Sequence, residues 1–139
     1  MSASANKQLL QHIFSEMAEG NSRPLVENMT DDFSWTVSGT TKWSRTYAGK
    51  QVVLGELFAT LRSHMAGRIK TIPDRFIAED DLVVVEAHGS NTTTAGTPYN
   101  NNYCFVFRLG NGKLKEVTEY MDTFLVARVL GEQEELVSG

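Results

Sequence analysis

Helices in the first half of the chain and strands in the second predict an α+β domain, with three N-terminal helices packed on one face of a strongly bent, mostly antiparallel sheet. Three observations lead there. Apolar residues recur at helical spacing before about position 30 and again over 51–65. From position 69 onward apolar and polar residues alternate as in half-buried strands. Short turns rich in Asp, Asn and Gly separate the strand-like runs.

The first helix is expected over Lys7–Glu19, where Leu9, Leu10, Ile13, Phe14 and Met17 form one stripe and Gly20 supplies the stop. Asn21-Ser22-Arg23-Pro24 reads as a cap with proline in the first turn, opening a short second helix through Leu25, Val26 and Met29. Phe33-Ser34-Trp35-Thr36-Val37 alternates as a strand. From Gly39 to Gly49 a polar loop carries Trp43 and Tyr47, aromatics that either line an entrance or close the core. The third helix is expected over Gln51–Met65, with Val53, Leu57, Leu61 and His64 on one stripe. Everything beyond is expected to be strand and turn: Ile69–Ala78, Leu82–Thr94, Tyr99–Leu109 and Lys113–Thr123.

The 139 residues allow one domain, expected over 1–131, with enough core to need neither disulfide nor structural metal. The acidic segment 132–139 lacks periodicity and is expected to be a mobile tail. Hydrophobic residues make up 41% and charged residues 22%, which excludes a mainly disordered chain. Thirteen Lys and Arg against seventeen Asp and Glu, without a basic run, argue against nucleic acid as a partner. No apolar run is long enough for a bilayer and the first residues do not resemble a secretion signal, so neither membrane nor export is expected; the reading is cytoplasmic. Cys104 is the single cysteine, and three histidines without close acid partners show no metal-ligand spacing.

Which acid faces inward depends on the last hairpin. A three-residue loop Gly110-Asn111-Gly112 pairs Tyr103 with Glu119 and Asn101 with Met121, turning Glu119 inward; a two-residue turn slips every face and brings Tyr120 and Asp122 in instead. The three-residue loop is preferred, and Asp122 then joins Glu119 only through a bulge. A carboxyl in an apolar hollow loses hydration, so its pKa rises toward neutrality and suits proton transfer. Glu119 is the candidate base or acid, with Asn101 and Tyr103 as hydrogen-bond donors to substrate. The competing reading is a Glu119–Tyr103 hydrogen bond that only satisfies two buried groups. His64 either approaches the same hollow or is a satisfied core histidine.

Several strings resemble the nuclear transport factor 2-like superfamily: Tyr99-Asn100-Asn101-Asn102-Tyr103-Cys104-Phe105-Val106-Phe107-Arg108, then Asn111-Gly112-Lys113, then Glu119-Tyr120-Met121-Asp122-Thr123. The ending from Asp122-Thr123 to Arg128-Val129-Leu130-Gly131 is similar to that of SnoaL-like polyketide cyclases. The resemblance implies a cone-shaped fold open at one end. Ketosteroid isomerases of this superfamily place a base, a tyrosine and a protonated acid where this chain has Val37, Ile13 or Phe14, and Phe105, so that route is not expected. Limonene epoxide hydrolases place an Arg and an Asp where Ala87 and Gly89 stand, and only their last acid corresponds, to Glu119. SnoaL-like cyclases place a catalytic aspartate at Asp122; the competing reading is a residue that only caps the final turn. Residue chemistry and the resemblance together give the expected site: Trp35, Val37, Trp43, Tyr47, Asn101, Tyr103, Phe105 and Met121 to contact substrate, and Glu119, Asp122 and His64 to carry the chemistry.

The resulting expectation is a cofactor-independent enzyme, isomerase, cyclase, dehydratase or hydrolase, acting on a small apolar or cyclic molecule; the alternative is a non-catalytic ligand-binding or interaction module. The outer sheet face, with Val84, Glu86, His88, Cys104, Val106, Arg108 and Tyr120, is too apolar to stay wet and is expected to form a homodimer, Glu86 pairing with Arg108.

Overall fold

The chain opens with α1 (Ala3–Met17), which begins four residues earlier than the apolar stripe suggests because Ser2 caps it, its Oγ accepting from Ala5 N at 3.0 Å. This is a computed structural model describing residues 2–131, so the expected tail at 132–139 lies outside the described residues. α2 (Arg23–Glu27) is shorter than expected, because Met29 already belongs to β1 (Met29–Val37). Within the expected loop, β2 (Thr46–Ala48) returns antiparallel to β1, setting Trp35 opposite Tyr47.

The third helix runs through residues 50–64 but is not uniformly α. α3 (Lys50–Val52) passes into a π-helical segment, Val53–Phe58, and then into α4 (Ala59–His64). The wider turn shifts the phase of everything after it. β3 (Met65–Ala66) leads to β4 (Thr71–Glu79), and a tight turn with Asp80 at φ 55° returns as β5 (Leu82–Gly89).

The two long strands expected next are each broken near one end. β5 stops at Gly89, and β6 (Asn91–Thr93) joins β3 and β7 (Pro98–Tyr99) in a separate three-stranded sheet before β8 (Asn102–Gly110) resumes. Asparagines make the break possible by bonding the backbone groups that a continuous ladder would use. Asn91 accepts from Lys70 N through Oδ1 at 2.8 Å, and Asn100 Oδ1 accepts from Asn91 N at 2.9 Å.

β9 (Lys113–Met121) completes a six-stranded sheet of order β2-β1-β9-β8-β5-β4, strongly curved and not closed into a barrel. All its pairings are antiparallel except β1 with β9. The β8–β9 turn has two residues, Asn111 at φ 51° and Gly112 at φ 73°, not the three expected. A bulge between Arg108 and Leu109, with Lys115 as the extra residue, then slips the register again. Two slips restore the inward face. The partner of Glu119 is therefore Phe105 and that of Tyr103 is Met121, yet Glu119 still points inward.

The chain does not end in strand and turn: α5 (Thr123–Leu130) follows β9 directly. Helix α1 seals the concave face, with the Phe14 ring centroid 5.6 Å from Phe105, 6.0 Å from Phe107 and 6.2 Å from Phe76. Burial of such rings supplies on the order of 2–3 kcal/mol each. Among the described residues no helix is long and apolar enough to cross a membrane.

Candidate functional site

Between the curved sheet and the helices lies a cavity of about 400 Å3. The sheet contributes Trp35 from β1, Tyr103 and Phe105 from β8 and Glu119 from β9. Helices supply Met17, Leu25, Leu57, Phe58 and Leu61, and the β3–β4 connection supplies Ile69. Its rim carries Arg62 and Arg68.

The wall around Glu119 is aromatic. Trp35 meets Phe58 edge-on at 5.3 Å and Phe105 at 6.0 Å, while Tyr103 stacks on Phe105 at 5.3 Å with planes 22° apart. Trp35 Nε1 donates to Glu119 Oε1 at 2.8 Å. Loss of hydration pushes the Glu119 pKa from 4.5 up to about 7, against the smaller opposing pull of the Trp35 N–H. The side chain is half-buried and lines the cavity, so the carboxyl is reachable by a small molecule held there.

Tyr103 does not bond Glu119. Its hydroxyl meets that of Tyr99, and burial raises its pKa well above the ordinary phenolic value. Behind it, fully buried Asn101 donates through Nδ2 to Tyr99 Oη at 3.0 Å and to the Asp122 carbonyl at 3.1 Å. Its Oδ1 accepts from Asn102 N at 2.8 Å and Asp122 N at 3.1 Å. Asn101 is thus spent on Tyr99 and on backbone and does not line the cavity.

Asp122 follows the competing reading, that of a cap. β9 ends before it, and its Oδ1 accepts from Leu125 N at 3.2 Å as the N-cap of α5. His64 is turned from the cavity by the π segment and packs edge-on against Trp43 at 5.6 Å. Trp43 and Tyr47 close the core beneath the loop, the Tyr47 hydroxyl donating to the Trp43 carbonyl at 2.9 Å. Val37 is buried beside Glu119 in the β1–β9 ladder, and Met121 packs at the core edge; neither lines the cavity.

Of the expected site residues, Trp35, Tyr103, Phe105 and Glu119 therefore meet at one cavity, while Val37, Trp43, Tyr47, His64, Asn101, Met121 and Asp122 lie elsewhere. Not foreseen were Phe58, Arg62 and Arg68. Phe58 and Arg62 stand four apart around Leu61, a helical spacing that marks one face once the inserted π residue is counted. Arg68 had no local signal. Among the described residues no group of three or more His, Cys, Asp or Glu side chains is placed to hold a metal ion.

Structures with this architecture are known. An NTF2-like protein of unknown function from Burkholderia pseudomallei K96243 superposes with a TM-score of 0.77 at 20% identity, covering 93% of this chain and 98% of that one. A protein assigned as a SnoaL-like polyketide cyclase from Jannaschia sp. CCS1 gives 0.76 at 17% identity, covering 94% of each chain. One assigned as an isomerase from Bacillus subtilis gives 0.75 at 15%, covering 96% of this chain and 98% of its own. Among proteins with curated descriptions, none matches the sequence significantly. The family model of the SnoaL-like domain matches residues 10–117, a span that takes in every wall of the cavity except Glu119, and on this match the chain belongs to the SnoaL-like family within the nuclear transport factor 2-like superfamily.

Proposed function

We propose that the cavity is the active site of a cofactor-independent enzyme in which Glu119 moves a proton on a small apolar or cyclic substrate. One observation carries this reading: an acid with a pKa of about 7 stands, among aromatic side chains, on the wall of a small-molecule-sized, mostly apolar cavity. Near neutral pH comparable fractions of Glu119 are ionised and protonated, so the same group can take a proton from carbon and return it elsewhere. Trp35 fixes one carboxyl oxygen, which leaves the other for proton transfer. The shared fold of proteins assigned as a SnoaL-like polyketide cyclase and as an isomerase supports a small-molecule reaction of this general kind.

The test follows hydrogen exchange from D2O into the acidic C–H of cyclic 1,3-diketones and β-keto esters by NMR. Exchange is expected to rise as pH increases through about 7, where the carboxylate forms, and to fall at least about 100-fold in Glu119→Gln. Equal exchange by wild type and Glu119→Gln refutes the assignment.

A further inference from the structure

Arg62, in the last turn of α4, and Arg68, just past β3, both border the cavity and both reach solvent. The protein as a whole is acidic, with a formal net charge of -4, so two cations at one rim do not follow from general basicity. Arg45, Arg75 and Arg108 each take a carboxylate partner at 2.7 to 3.2 Å. Among the described residues no carboxylate lies within ion-pair distance of Arg62 or Arg68.

Arg68 is also held in place. A Cβ at Gly20 would stand 2.7 Å from Arg68 Cβ and 3.0 Å from its Cδ, so the stem lies against the end of α1 in a cradle that only glycine leaves open. A stem held this way gives up less rotamer freedom when its guanidinium binds. Arg68 also borders a shallower neighbouring groove with Glu16, Glu19 and Arg23; there Glu16 is engaged by Asn21 Nδ2 at 2.9 Å.

We propose that the substrate is an amphiphilic acid, whose flat or cyclic apolar body lies against Trp35, Phe58 and Phe105 while its carboxylate or phosphate is held at the rim by Arg62 and Arg68. The inference rests on the cavity being a substrate site. Glu119 stands on the sheet wall, on β9, whereas Arg62 and Arg68 come from α4 and the β3–β4 connection. The cavity thus has a cationic end and a separate proton-transfer end, and the anion sets which way round the substrate lies. An anion at an exposed rim keeps part of its hydration, which makes its capture cheap in desolvation.

Binding of 2-naphthoate, 2-naphthyl phosphate and neutral methyl 2-naphthoate is measured by calorimetry at about pH 6, below the Glu119 value of about 7. At least one anion is expected to bind at least about tenfold tighter than the ester, and whichever anion binds tighter identifies the group. Arg62→Gln/Arg68→Gln is expected to bind anion and ester alike, with the single variants apportioning the effect. Glu119→Gln is expected to keep the anion preference. Equal binding of anions and ester by wild type, a preference that survives in the double variant, or binding of none of the three overturns the proposal. Equal carbon-bound proton exchange by wild type and Glu119→Gln, with the anion preference intact, counts against the function of Glu119 alone.

Discussion

At Glu119 two influences oppose each other, and burial wins. The carboxyl would rather be hydrated than ionised among Trp35, Phe105 and Phe58, and one indole N–H does not make up the loss. A folded-state pKa raised from 4.5 to about 7 means the native state holds a proton that the unfolded state releases, so stability is lost as pH rises between those values. The full difference is about 3 kcal/mol. Glu119→Gln, which can still accept from Trp35, is expected to match wild type in urea denaturation at about pH 4 and to exceed it by about 2–3 kcal/mol at about pH 8. A stability difference that stays constant across that range would show that the carboxyl is not held neutral. The same residue illustrates how far side-chain type and parity reach. Glu119 was legible because strand alternation assigns it a face, whereas its partner was not: Trp35 lies on a strand 84 positions away.

Among the elements, the last hairpin is instructive because two irregularities cancel. Asn111-Gly112 is a two-residue turn, and the bulge at Lys115 reverses the slip it causes. The inward face of β9 could therefore be read from sequence although neither irregularity could. Alternation in Leu82–Thr94 and Tyr99–Leu109 does not reveal their breaks, which depend on side-chain amides of Asn91, Asn100 and Asn101 replacing ladder bonds. In α5 the run Phe124-Leu125-Val126 reads as more strand, and only Asp122 before it and Gly131 after it mark a helix. Arg62 and His64 exchanged places, in effect, because one π segment turns the helix beneath them. Asn101 ties β7, β8 and the start of α5 together with four hydrogen bonds. Asn101→Ala is expected to lower unfolding free energy by about 2–4 kcal/mol in denaturant titration, since it orphans buried partners. A loss below about 0.5 kcal/mol would mean that water replaces the amide there.

For the molecule as a whole, the convex side of the sheet is as patterned as the concave side. Ile77, Val84, Val106 and Thr118 form one row across four strands, and Arg75, Glu86, Cys104 and Tyr120 form the next. Ile77 and Tyr120 are each 51% exposed. The expected Glu86–Arg108 ion pair is not formed: Glu86 takes Arg75 at 2.7 Å and Arg108 takes Asp81 at 2.9 Å, because the β5–β8 register sets Glu86 opposite Cys104. We expect this face to pair with a second copy, so that light scattering gives twice the 15.5 kDa of the chain. Val106→Lys, in the middle of the first row, is expected to give the single-chain mass with an unchanged melting profile. A wild-type mass of one chain refutes the pairing.

The parallel seam between β1 and β9 governs the order of events when the chain is made. Because β1 lies between its hairpin partner β2 and β9, its second ladder cannot close before the β8–β9 hairpin is made. A nascent polypeptide emerging from the ribosome displays Phe33 and Trp35 with one flank open until β9, Lys113–Met121, has followed them out. A stalled or truncated product ending before residue 113 would keep that sticky flank permanently.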